Sequence, residues 1–114
     1  MANPPTVPDT HGHTNRYAEK LKAAVYALAV REGDVRERLH GAHFYLRQLH
    51  NHEIPEHARH ELASILQGLT RKGPVFGPEG EVYSTAVRNT LNSIRNQTGR
   101  GYAERIFALY REIN

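Results

Sequence analysis

Five side chains able to carry positive charge, Arg36, His40, His43, Arg47 and His50, recur at spacings of four, three, four and three residues. On a helix that rhythm lines them along one edge. The arginines are charged at any physiological pH, while the histidines gain charge only around and below their ordinary pKa of about 6.5. Such an edge would bind anions: a phosphate backbone, or carboxylates on another protein. Arg88 and Arg95, seven apart on the expected fourth helix, would extend it. Twelve acidic residues are interspersed through the chain, so an ordinary solvated flank is the plainer reading.

The other face of the same segment points to a different chemistry. Opposite its apolar stripe lie Gly41, Phe44 and Gln48, with Tyr45 beside them. A glycine one turn before an exposed aromatic permits close approach of another backbone. Either this helix is central and covered on both sides, or Phe44, with Gly41, Tyr45 and Gln48, belongs to a protein interface.

Metal and catalytic readings draw less from the sequence. Six of the eight histidines fall between His40 and His60, and His57 with Glu61 would share a helix face. No His-Glu-x-x-His and no di-iron Glu-x-x-His pair is present, so no metal or other cofactor is expected. Without cysteine there is no thiolate nucleophile, disulfide or cysteine-ligated zinc. Ser64, Ser84 and Ser93 lack the strand-turn-helix setting of a nucleophile elbow. The glycines of Arg71–Gly80 lack the Gly-Lys-Ser/Thr of a phosphate-binding loop. No enzyme is expected.

The elements that must position these residues are helical. Val35, Leu39, Ala42, Leu46 and Leu49 mark the buried stripe of a second helix reaching Leu49 or His50. Asp34 would cap it, with Glu37 completing a capping box. A first helix is expected from about Asn15 to Glu32, carrying Tyr17, Leu21, Ala24, Val25 and Leu28 inward and stopped by Gly33. The short turn makes these two antiparallel neighbours. A third starts at Pro55 and ends near Thr70, burying Ala58, Leu62, Ile65, Leu66 and Leu69. Arg71 to Gly80 is a Gly/Pro-containing internal loop with room for a short extended pair. A fourth helix runs from about Glu81 to Asn96, with Tyr83, Val87, Leu91 and Ile94 inward. Thr98-Gly99-Arg100-Gly101 interrupts the chain before a last helix bearing Tyr102, Ile106, Leu109, Tyr110 and Ile113.

The expectation is an all-α bundle of about five helices: a tail over residues 1–14, then one helical domain over 15–114. The net charge of +3 is spread through both halves, and arginine outnumbers lysine twelve to three. No apolar run is long enough to span a bilayer, and the first ten residues hold neither a basic start nor an apolar core. A cytoplasmic, non-membrane protein is expected. The leading functional reading is a small interaction, adaptor or accessory protein of bacterial type. It would act through its second helix on another protein or on its own copy. The alternative is DNA or RNA binding through the basic edge.

Overall fold

The computed structural model describes residues 6–113, with side chains from Arg16 onward. The expected tail, residues 1–14, lies outside the residues whose side chains are described. Five helices follow in order: α1 (Thr6–Val30), α2 (Val35–Leu46), α3 (Glu56–Leu69), α4 (Ala86–Ser93) and α5 (Asn96–Arg111). A single 3-10 turn, Asn51–Glu53, joins α2 to α3, and a hairpin of β1 (Val75–Phe76) and β2 (Val82–Ser84) joins α3 to α4. The protein is therefore an all-α bundle with one small two-stranded insertion.

Each helix buries the stripe that its sequence dictates. Leu21 and Ala24 of α1, Leu39, Ala42 and Leu46 of α2, and Ala58, Leu62, Ile65 and Leu69 of α3 are fully enclosed. Val87, Leu91 and Ile94 close the core from α4 and its end, and Ile106 and Leu109 from α5. Each large aliphatic side chain moved from water in this way contributes about 1.5–3 kcal/mol. Helix α2 touches α1, α3, α4 and α5, so it is the central element.

The boundaries show where local signals lose to tertiary ones. Gly33 adopts φ +98° between α1 and α2, a conformation that strains any residue with a Cβ. Asp34 caps α2, accepting from the N–H groups of Arg36 (3.0 Å) and Glu37 (3.2 Å). The expected reciprocal half of the capping box is not formed, because the Glu37 carboxylate accepts from Arg88 instead, at 2.8 and 3.1 Å. Helix α2 stops at Leu46 rather than Leu49 or His50. Beyond it Glu53, almost fully buried, accepts from the His50 N–H (2.8 Å) and pairs with Arg16 (2.8 Å). Those contacts draw the chain into the turn and away from the helix axis.

Three expectations about the C-terminal half are corrected. The expected fourth helix contains β2 at its start: Tyr83 is 80% exposed on the strand, and Thr85 caps α4 by accepting from the Arg88 N–H (3.2 Å). Gly80, at φ +85°, turns the chain into the hairpin, and Gly77 N–H to the Glu81 carbonyl (2.7 Å) closes it. Conversely, Thr98-Gly99-Arg100-Gly101 does not interrupt a helix but forms the first turns of α5. Gly99 is buried there against α2, where a Cβ would stand 3.1 Å from Val35 Cγ1 and 3.3 Å from Leu39 Cδ1. The glycine that reads as a breaker is a contact point between helices. Ile113, expected in the core, is exposed beyond the end of α5.

Candidate partner-binding groove

The basic edge of α2 does not persist as one surface. Arg36 turns toward its own helix start, bonding Asp34 (2.9 and 3.2 Å) and the Ile94 carbonyl (3.2 Å). Arg88 is committed to Glu37, holding that carboxyl below its ordinary pKa mainly through the hydrogen bond. Arg95 lies beyond α4, whose last residue is Ser93, and is exposed at the start of α5. The outer row of Arg88 and Arg95 expected on one helix is therefore divided between two elements. His50, past the end of α2, stacks on His52 with ring centroids 5.8 Å apart.

Three members of the edge remain together. His40, His43 and Arg47 line a groove of about 350 Å³ with Phe44, Thr70, Thr85, Ala86 and Val87. Its floor is α2, one wall is the end of α3, and the other is the first turn of α4. The chain leaves this rim at Thr70 to make the hairpin and returns to it at Thr85. His43 is buried to 8% exposure. Burial first, then the positive charges of Arg47 and His40, push its pKa down to about 4, so the ring is neutral at physiological pH. Burial also lowers the pKa of His40, reinforced by Arg88 and Arg31 and opposed by Glu37. The expected increase in positive charge below pH 7 is thus suppressed at His43 and shifted downward at His40.

The interface residues expected from the sequence separate in the same way. Gly41 is buried, and a Cβ there would collide with the Arg31 side chain lying over it, so its space is used within the chain. Gln48 ties α2 to α1: its side-chain oxygen accepts from Lys20 (2.9 Å) and its carbonyl from Arg16 (3.3 Å). Tyr45 is half-buried beneath Lys20, 5.9 Å from its ring centroid. Phe44 alone of the four is exposed, to 50%, with the Arg47 guanidinium 5.6 Å from its ring centroid. Coverage of α2 on both sides fails at that residue.

Sequence periodicity missed the hairpin as a surface. Val75, Phe76, Val82 and Tyr83 are all exposed on its two short strands. The strands pair antiparallel through Val75 with Ser84 and Phe76 with Val82, and the register slips at Tyr83. A bulge of this kind twists a ribbon, and among the described residues nothing buries its four apolar side chains. The available signal was the apolar pair Val75-Phe76 between Gly/Pro breaks, followed by β-prone Val82-Tyr83-Ser84-Thr85.

The other sequence candidates are put to structural use. Glu61 is held by Arg105 through two hydrogen bonds (2.8 and 2.9 Å), whereas His57 faces Glu112 at 3.8 Å. His57 and Glu61 thus have separate partners. Among the described residues, no three His, Asp or Glu side chains converge as metal ligands. Ser64 accepts from Arg105 and Ser93 donates to the Thr90 carbonyl. No helix among the described residues is long and apolar enough to cross a membrane. In comparisons with known proteins, no family model, no curated protein and no solved structure matches this chain.

Proposed function

We propose that this protein is a non-enzymatic interaction module that docks another protein along the groove beside α2 and the hairpin rising from its rim. The observation that carries the reading is the hairpin. Four apolar side chains stand in solvent on a ribbon too small to have a core of its own. Water exposure of Phe76 and Tyr83 is costly, and a partner that covered them would recover that energy at the centre of an interface, where aromatic anchors dominate binding. Phe44 supplies a further apolar contact on α2.

DNA or RNA binding through the Arg/His edge draws less support. Arg36 and Arg88 are engaged by Asp34 and Glu37, and His43 is buried and neutral. The deciding experiment places a photo-crosslinking residue at Tyr83 or at Phe44 in the full chain, expressed in its native host. A defined protein product, a second copy included, is expected from both positions. Phe76→Ser should abolish crosslinking from Tyr83. No protein adduct at either position would refute the proposal.

A further inference from the structure

The groove holds a feature that protein docking in general does not require. His43 is more than nine-tenths buried, yet its imidazole has no hydrogen-bond partner among the described residues, and it lines the groove. Among the described residues the fully enclosed side-chain nitrogen without a partner is Arg38 Nε, so the His43 ring nitrogens open onto the groove, where a ligand can bond them. The second wall is the first turn of α4, where Thr85 Oγ1 takes the Arg88 N–H and the Thr85 carbonyl takes that of Asn89. No acceptor among the described residues takes the N–H of Ala86 or Val87, and both residues line the groove. First-turn amides carry the positive end of the helix dipole. Arg47 adds a full charge just past the end of the facing helix, and no carboxylate among the described residues pairs with it.

We propose that the groove receives a carboxylate from an acidic side chain, flanked by apolar residues, in the partner protein. Arg47 and the Ala86 and Val87 amides supply complementary positive charge, and the neutral His43 ring donates from one nitrogen. Phe44, Ala86 and Val87 receive the apolar neighbours. A carboxylate fits better than a run of phosphates: Arg36 and Arg88, which would have to continue a phosphate track, are occupied by Asp34 and Glu37. Arg71 and Lys72, exposed just beyond Thr70, extend the positive field at the rim and favour an acidic partner. This inference rests on the docking proposal and gives its partner a chemistry.

The test is nuclear magnetic resonance on the isotopically labelled full chain, titrated with acetyl-Leu-Glu-Leu-amide and with its glutamine counterpart. The expected result is movement of the His43 ring signals and of the Ala86 and Val87 amides with the glutamate peptide. Roughly tenfold weaker binding is expected for the glutamine peptide, and the same loss with Arg47→Gln protein. Absence of movement up to about 10 mM peptide would overturn the inference, since that range detects even a millimolar complex. So would equal responses to the two peptides, movement confined to other residues, or a stronger groove response to a single-stranded oligothymidylate. Crosslinking at Tyr83 with an unresponsive groove would overturn the carboxylate inference alone. A responsive groove without any crosslinked protein would overturn the docking proposal and, with it, a protein as the source of the carboxylate.

Discussion

Acidification should destabilise this protein through His43 before its carboxylates titrate. In the folded chain the ring accepts a proton only near pH 4, against an ordinary value of 6.5, because it is buried and faces the positive charges of Arg47 and His40. Between those values the unfolded chain binds a proton that the folded chain refuses, so stability falls as pH drops through the window. At about 1.36 kcal/mol per pKa unit, the loss from this group is roughly 2 kcal/mol at pH 5 and roughly 3 kcal/mol at pH 4. Both are upper values, because the ring borders groove water. The carboxyls of Asp34, Glu37, Glu53 and Glu61 have lowered folded pKa values and act with the same sign. Their stabilisation is present above the unfolded carboxyl range and is lost as pH falls below it. Urea unfolding from pH 7.5 to 4, run on the natural chain and on His43→Gln, separates the His43 contribution from those of the carboxyls and of His40, whose folded pKa is also lowered. The stability difference between the two chains should shift against the natural chain by about 2 kcal/mol between pH 7.5 and 5. Parallel curves, or a His43 imidazole resonance titrating near 6.5, would refute the reasoning.

Three further outcomes follow from the packing. Leu46→Ala, at the fully enclosed last residue of α2, should cost about 2–5 kcal/mol in chemical denaturation. Gly101→Ala, with nothing near its added methyl, should raise stability by roughly 0.5–1 kcal/mol, whereas Gly99→Ala should lower it by pressing on Val35 and Leu39; equal effects on the melting temperature would contradict the α2–α5 contact. Phe76→Ser should change stability by less than about 0.5 kcal/mol, because its side chain is mostly exposed, and a larger loss would mean that the hairpin is packed onto the core.

The sequence by itself determined the helical class and most of the core. Leu39, Ala42 and Leu46, or Ala58, Leu62, Ile65 and Leu69, recur with the helical period, and burial of one stripe per helix leaves little choice of face. It also located the end of α3 and the cap at Asp34, since both depend on neighbours a few residues away. Helix ends governed by distant partners were not legible. Glu37 left its capping box for Arg88, and α2 ended early where Glu53 took the His50 N–H and the Arg16 guanidinium. Gly99 reads as a breaker in one dimension and is a close contact with α2 in three. The basic edge met the same limit. Periodicity placed Arg36, His40, His43 and Arg47 on one side of α2, but the neighbouring elements decided which of them keep their charge and their access to solvent. Asp34 engaged Arg36, the walls of α3 and α4 buried His43, and Arg47 was left beside an exposed Phe44. Charge and exposure depend on what packs within a few ångströms, and that is set by tertiary contact rather than by spacing along the chain.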